Sequence, residues 1–552
     1  MAPRTLTRRT FLAGLAAPAP PSAWFEQIPP ARSGISWRHD NALSPKRYLP
    51  ESLGPGVAFI DYDNDGWPDI FLVNSGPCSF YLPKTKSRHA LYHNNRDGTF
   101  TDVTHKAGLA GGASFGMGAA AADFNNDGFP DLLVTAYGKA TLYRNNGNGT
   151  FTDITARTGI DFPSWTTSAV WFDYDGDGLL DLFVCGFADY DEAAQDRCIA
   201  ERGGNPGYCI PRIFKPGACR LYRNNGDGTF KDVSVETGIA GRASKALGVV
   251  ATDVNNDGRL DLFVANDTIE NFLWTSNGKG FRDTAYAALV ALGESGWARS
   301  GMGVDAADFN QDGHQDLIVA NIDRERYSLY HNTGHGMFDD LSFAGEIGRS
   351  TYDMSGWGLR FADFDNDGTD ELILANGHPD DKVAERSPRV KYREPLLLFA
   401  QRNSAFTNIS AQGGPAFQIP LSARGLATGD YNNDGKLDVL IGDNGGAPVL
   451  LKNVVKEPNN WLGIKLRGVK ANRDGVGAMI KWSAGGITRQ RLKRAGGSFM
   501  SSHDPREIFG LGKVEKVDWI EVRWPAPSTR VDRFTPTAIN RYITIEEGAG
   551  AA

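Results

Sequence analysis

Seven times the chain repeats a nine-residue loop of the form Asp-x-Asp/Asn-x-Asp-Gly-x-x-Asp/Glu, starting at Asp61, Asp123, Asp173, Asp253, Asp308, Asp363 and Asp430. In such a loop, oxygens at positions 1, 3 and 5 point into one concavity, the glycine at position 6 allows the sharp turn, and the carboxylate at position 9 closes the far side. Hard oxygens in a flexible loop select Ca²⁺ over zinc or copper. The expected ligands are Asp61, Asp63, Asp65 and Asp69; Asp123, Asn125, Asp127 and Asp131; Asp173, Asp175, Asp177 and Asp181; Asp253, Asn255, Asp257 and Asp261; Asp308, Asn310, Asp312 and Asp316; Asp363, Asp365, Asp367 and Glu371; and Asp430, Asn432, Asp434 and Asp438. Of these positions 24 are carboxylates, so without cations they would repel one another, and up to seven bound Ca²⁺ should stabilise the fold.

An EF-hand begins the same way but needs a Glu at position 12 and a helix on each side. Here position 12 is Leu72, Val134, Val184, Val264, Val319, Leu374 and Ile441, each within an apolar run that reads as a buried strand. The loop is therefore a β-hairpin turn closed at position 9. Successive loops start 62, 50, 80, 55, 55 and 67 residues apart, a period that means an array or a propeller. Between them recurs a second hairpin signature, as in Leu91-Tyr92-His93-Asn94-Asn95, Leu142-Tyr143-Arg144-Asn145-Asn146 and Leu221-Tyr222-Arg223-Asn224-Asn225, each followed by a Gly-bearing turn. One unit is thus four strands. First strands favour small residues, as in Met117–Ala122, which suits inner strands converging on an axis. The seventh unit stops at Asn453 without a last strand, whereas Phe25-Glu26-Gln27-Ile28 with Gly34-Ile35 matches Phe151-Thr152-Asp153-Ile154 with Gly159-Ile160. The N-terminal strand is expected to complete the last blade.

The seven loops resemble the FG-GAP/VCBS repeats of integrin-α-type propellers. In the tail, Asn472, Gly475-Val476-Gly477-Ala478, Gln490-Arg491, Gly497, Ser501-Ser502, Phe509-Gly510-Leu511-Gly512 and Val522-Arg523-Trp524-Pro525 resemble the ASPIC/UnbV domain that follows such repeats in the cartilage acidic protein 1 family. The tail departs from that pattern at Ile508 and at Ala526-Pro527. The resemblance implies secreted calcium-binding proteins and hands over no catalytic centre. The predicted fold is all-β: a seven-bladed propeller over residues 24–455, then a small antiparallel β-sandwich over 456–547.

Thr7-Arg8-Arg9-Thr10-Phe11-Leu12 reads as a twin-arginine export signal within residues 1–23, which places the protein in the periplasm or outside the cell. No run is long and apolar enough to span a membrane. Cys185, Cys198, Cys209 and Cys219 cluster around the third-blade insertion and would form two disulfides; a zinc site is the competing reading, but the spacings lack CxxC and no His is near. Cys78 stands alone.

The long connections at residues 74–89, 187–220 and 376–395 join second to third strands, so they crown the face opposite the acidic loops. Loops on a rigid scaffold carry binding residues, which makes this face the expected ligand site. It offers a basic patch at Lys84, Lys86, Arg88 and His89, an acidic one at Asp189, Asp191, Glu192 and Asp196, and a second basic one at Lys382, Arg386, Arg389, Lys391 and Arg393. Residues 461–533 hold 15 Lys/Arg against 7 Asp/Glu, so the rest of a chain of net charge −8 carries −16. A basic tail could meet an anionic glycan, a membrane surface or an acidic partner; nucleic acid is not expected, because no reading motif is present. The favoured function is a calcium-stabilised binding or adhesion module for a protein or glycan. The alternative is a polysaccharide lyase or hydrolase with His378, Asp380 and Asp381 at the channel mouth, although no nucleophile elbow, phosphate loop or His-rich metal centre accompanies them.

Overall fold

The computed structural model describes residues 23–83, 88–110, 114–201 and 207–551. Arg8, Arg9, Lys84 and Lys86 lie outside them. Seven antiparallel sheets of four strands follow one another along the chain, each with its acidic loop between its first two strands, and the fourth is extended by Ala495–Gly496 of the tail. In the second sheet Phe115–Ala122, Asp131–Tyr137, Thr141–Asn145 and Phe151–Asp153 pair in that order. The first strand of each sheet packs on the first strand of the next, and Ala423–Gly429 of the seventh packs on Val57–Ile60 of the first, so the series closes on itself. Phe25–Ile28 runs antiparallel to Leu450–Asn453 as the outer strand of the seventh sheet, with Phe25 opposite Asn453. Small residues on the inner strands are needed for this convergence. A Cβ on Gly303 would lie 1.8 Å from the carbonyl oxygen of Trp357 in the neighbouring sheet.

The tail holds two further four-stranded sheets. They enclose one apolar cluster that includes Ile464, Ile480, Trp482, Phe509, Ile520 and Ile545, with Trp482 stacked on Phe509 at 4.1 Å. The expectation of an all-antiparallel tail is corrected at one pair: Gly463–Arg467 and Tyr542–Glu546 run parallel. The chain reaches Tyr542 from Val531–Phe534 in the other sheet, and such a crossover can deliver a strand in the parallel direction where a hairpin cannot.

Between the tail strands Ile487–Leu492 and Glu507–Gly512, residues 495–504 leave the tail and enter the centre of the ring. Ser502 exchanges backbone hydrogen bonds with Val57 and Phe59 of the first sheet, and the Met500 carbonyl accepts from Ala119 of the second. The Met500 amide donates to Ser168 Oγ of the third sheet, Gly497 donates to the Val249 carbonyl of the fourth, and the Ser498 carbonyl accepts from Val304 of the fifth. The Ser498 hydroxyl accepts from Leu359 of the sixth sheet and donates to the Leu426 carbonyl of the seventh. One short segment thus bonds to the inner strand of all seven sheets. Inner strands have no neighbour on their axial edge, and the inserted backbone satisfies part of the hydrogen-bonding capacity that would otherwise be stranded there. Beyond it, Phe499 and Met500 are buried against Met117, Leu247, Met302 and Trp357, and Leu49 and Leu53 close the same cluster from the other side.

Candidate metal-binding loops

The seven loops fold alike. The position-1 carboxylate accepts from the backbone amides of positions 5 and 6, as Asp123 does from Asp127 and Gly128 and Asp363 does from Asp367 and Gly368. The position-9 carboxylate is buried and spans two strands. Asp69 accepts from the amides of Tyr62 and Asn94, Asp181 from Tyr174 and Asn224, and Asp438 from Tyr431 and Asn453. A strand-to-strand tie of this kind explains why position 9, and not position 12, closes the loop.

Two sets of side chains link each loop to its neighbour. At position 4 the backbone is left-handed in every loop, a conformation that favours Gly or Asn. Asn64, Asn126, Asn256, Gln311, Asn366 and Asn433 each donate a side-chain amide to the carbonyl of the position-6 glycine in the following loop, ending with Asn433 on Gly66. The Asn that follows the Leu-Tyr-x signature points the other way. Asn94, Asn145, Asn224, Asn332 and Asn453 donate to the position-2 carbonyls of Tyr431, Tyr62, Phe124, Val254 and Phe364 in the preceding loops. Between loops three and four both links are missing, because position 4 is Gly176 and the strand residue is Ser276.

Acidic side chains converge within ligand distance at Asp61, Asp63 and Asp65; at Asp63, Asp69 and His93; at Asp173, Asp175 and Asp181; and at Asp363, Asp365 and Glu371. These are the three loops with Asp at position 3. The other four carry Asn125, Asn255, Asn310 and Asn432 there, which supply an uncharged oxygen instead. A cation would fit these donor sets: Asp61 Oδ1, Asp63 Oδ1, Asp131 Oδ2, Asp175 Oδ1 and Asn432 Oδ1 are buried oxygens without a hydrogen-bond partner among the described residues. Burial, reinforced by neighbouring carboxylates, pushes the carboxyls up: Asp61 to about 6, Asp123 and Asp173 to about 7, and Asp363 well above its ordinary value. Such crowding is the arrangement that a divalent ion relieves. Some loops already draw on nearby basic side chains. Arg223 lies 2.8 Å from Asp175, Arg96 lies 2.7 Å from Asp65, and His331 lies 3.0 Å from Asp316.

The tail sits on this loop face. Arg491 pairs with Asp370 at 2.7 Å, Tyr542 donates to Asp430, Arg506 bonds to the Asp430 carbonyl and Asn433, and Asp474 accepts from the Asp123 amide. Arg494 meets the fully buried Asp305 at 3.1 Å. Part of the tail's positive charge therefore answers the ring itself, through Lys465 with Asp61, Arg491 with Asp370 and Arg494 with Asp305, a use that net charge could not reveal. Gly497 and Ser501-Ser502, legible only as motif residues, belong to the inserted segment.

On the opposite face the long connections converge on residues 44–54. Arg47 binds Asp381 bidentately, Gln195 donates to the Arg47 carbonyl, Lys46 pairs with Asp196, and Tyr48 stacks on Phe80 at 4.5 Å. His378 is buried with Nε2 3.1 Å from Asp323, and Asp380 pairs with Arg386. Every member of the suspected catalytic cluster thus has a bonding partner of its own: Asp323 for His378, Arg386 for Asp380 and Arg47 for Asp381. Cys198 and Cys209 form a disulfide; the second expected one is not formed, and Cys185 and Cys219 are buried free thiols that hydrogen-bond to each other. No helix among the described residues is long and apolar enough to cross a membrane.

A closed series of β-sheets with an acidic loop in each defines a repeat protein of propeller type. The chain belongs to the family of FG-GAP-like repeat proteins, whose profile matches residues 61–134, 123–184, 213–264, 253–319 and 308–374, and an ASPIC and UnbV domain follows at residues 468–552. It is similar to cartilage acidic protein 1: 24% identical to the Mus musculus protein over 516 residues, covering 88% of this chain and 73% of that one, and 24% identical to the Homo sapiens protein over 515 residues, covering 88% and 71%. Among solved structures it is similar to an Agrocybe aegerita lectin that recognises non-reducing terminal N-acetylglucosamine (TM-score 0.40, 15% identity, 71% of this chain and 87% of that one). A second is YCF48 bound to D1 peptide (TM-score 0.41, 11% identity, 80% and 99%).

Proposed function

We propose that this chain is an exported, calcium-stabilised binding module: an integrin-α-type propeller of seven blades over residues 24–455, capped by an ASPIC/UnbV β-sandwich over 456–547. On this reading up to seven Ca²⁺ ions are held by positions 1, 3, 5 and 9 of the loops that begin at Asp61, Asp123, Asp173, Asp253, Asp308, Asp363 and Asp430. The ions pin the blades, and a protein or glycan binds the opposite face. The observation that carries the reading is the position of the tail, which rests on the loop face at Asp123, Asp370 and Asp430 and fills the ring's axis. Stabilising metals suit that setting better than a ligand-exchanging site.

A binding role is favoured over catalysis because His378, Asp380 and Asp381 are each bound to a structural partner. Export through the Arg8-Arg9 signal would bring the loops to calcium-rich surroundings, where sites of modest affinity fill. The exposed tail cations Arg467, Lys513, Lys516, Arg523 and Arg533 leave room for an anionic surface as a second contact. Calcium titration followed by thermal melting tests the metal. Chelation should lower the melting temperature by roughly 10 °C or more, and calcium, not magnesium, should restore it. An unchanged melt would sink the assignment.

A further inference from the structure

Four repeats end in a turn that needs a left-handed residue, and four times that residue is glycine: Gly34, Gly108, Gly159 and Gly238, with φ between 75° and 85°. After the fourth sheet the same turn carries Leu289, at φ 65°. A β-carbon in this conformation is strained, and the side chain gains no burial in return, being 60% exposed. The seam beneath it is also looser. The amides of Phe151, Phe230 and Phe281 reach the residue before each glycine at 2.7 to 2.8 Å, but Phe338 reaches Ala288 at 3.2 Å. A groove of about 320 Å³ opens here, lined by Tyr286, Leu289, Glu294, Phe338 and Asp339.

More exposed rings continue the surface. The turn from Gly293 carries Trp297, 77% exposed. Glu294 pairs with Arg299 and lies 3.9 Å from Arg326, which stacks under the exposed rings of Phe343 at 4.6 Å and Tyr352 at 5.2 Å. The matching turns of the first three repeats carry His105, Ala156 and Val235 where this one carries Tyr286, and glycine where it carries Leu289, so the folding of the repeat does not call for this display. The charges are equally lopsided: Glu294 has its arginines, whereas exposed Asp339 has no ion-pair partner among the described residues.

We infer that this groove, at the seam between the fourth and fifth sheets, docks a protein segment that presents a large apolar side chain beside a lysine or arginine. Exposed Tyr286, Trp297 and Phe343 with Arg326 have the composition of a protein-binding hot spot, Leu289 adds apolar area beside them, and the unpaired carboxylate selects a basic neighbour. The inference rests on the reading of the chain as a binding module and gives it a site. That site lies on the connection between the fourth and fifth sheets, and its Phe338 packs in one apolar cluster with Val254 of the fourth acidic loop.

The test uses the full chain and its Leu289→Gly variant, which restores the residue of the other repeats and should melt at the same temperature or higher. Random 12-residue peptides displayed on phage are selected on the wild-type chain, and the winners are synthesised and titrated. The winners should pair an aromatic or large aliphatic residue with Lys or Arg, and bind Leu289→Gly and Trp297→Ser at least about tenfold more weakly and Asp339→Asn several-fold more weakly. No enrichment, or equal affinity for Leu289→Gly, would overturn the proposal. Glycan-array signals lost in Leu289→Gly, or concentration-dependent dimerisation lost in that variant, would also overturn it, by assigning the groove to a sugar or to a second copy. A chelator-insensitive melt would refute the calcium assignment while leaving this outcome readable.

Discussion

Six of the seven seams between neighbouring acidic loops are stapled by a position-4 side chain, and five by the strand asparagine; the seam between the third and fourth loops has neither. That seam is filled by the tail. Ala495 and Gly496 pair with Ala251 and Val250 on the inner strand of the fourth sheet, Val476 and Leu492 join the apolar cluster of Trp171 and Leu260, and Ala526 and Pro527 lie over Gly176 and Gly178. A ring of repeats can thus close its joints in two ways. Repeated joints use local hydrogen bonds that each unit brings with it, and the irregular joint uses a second domain. The difference teaches that the tail is part of the ring's closure, and that loosening it should act first on one seam.

The largest effect should come from removing the proposed cation, which would strip the stapled seams of a common support. In the metal-free chain, burial holds Asp61 near 6 and Asp123 and Asp173 near 7, above the value of an unfolded aspartate. The folded state then keeps protons that the unfolded state has lost, so stability is present below about pH 4 and falls as pH rises towards 7. In chelator the protein should melt higher at pH 5 than at pH 8. With calcium the order should reverse, because protons compete with the ion for the same oxygens. Equal melts at the two pH values in chelator would break the link between seam strength and loop charge.

Next in size is Phe499→Ala, which empties the core of the inserted segment. Phe499 is fully buried and edge-on to Trp357 at 4.9 Å, so truncation should cost about 3–5 kcal/mol in denaturant unfolding. Amide exchange separates the seams: protection should fall first on Val249–Ala251 and later on Leu132–Val134. Loss that begins uniformly around the ring would mean that the tail does not serve one joint in particular.

How much of this was legible in the residues follows from range. Acidic loops, strand order and the closing strand Phe25–Ile28 are periodic features, and each repeats a pattern present elsewhere in the chain. The inserted segment is not. Its small polar residues Gly497, Ser498, Ser501 and Ser502 read as a loop, and its partners are backbone groups up to about 440 residues away that leave no mark on composition. The weak seam was readable in principle. Gly176 and Ser276 break the pattern at the two positions that staple the others, as Leu289 breaks the glycine pattern. Resemblance among repeats draws the eye to what they share, whereas these functions sit where one repeat differs.

A smaller effect should follow from Asn332→Ala. Its amide donates to the carbonyls of Val254 and Gln315, both buried, and leaving them unpaired should cost about 1–3 kcal/mol. Asn126→Gly, which keeps the left-handed backbone and removes a more exposed amide on Gly178, should cost less, about 1 kcal/mol. If both proved neutral, the staples would be ornaments of a ring held by packing alone.

The smallest and sharpest test restores the missing staple. Gly176 is already left-handed at φ 74°, a conformation that asparagine tolerates, so Gly176→Asn asks the backbone for nothing new. Its added Cβ, however, would stand 3.0 Å from the Cβ of Ala526, because the tail occupies the place of the absent side chain. The single variant should therefore be neutral or slightly destabilising. Combined with Ala526→Gly, which clears that contact, it should gain about 0.5–1.5 kcal/mol in denaturant unfolding as the new amide reaches the Gly258 carbonyl. If the single variant were as stable as the double, the tail would not be filling the seam, and the two ways of closing the ring would collapse into one.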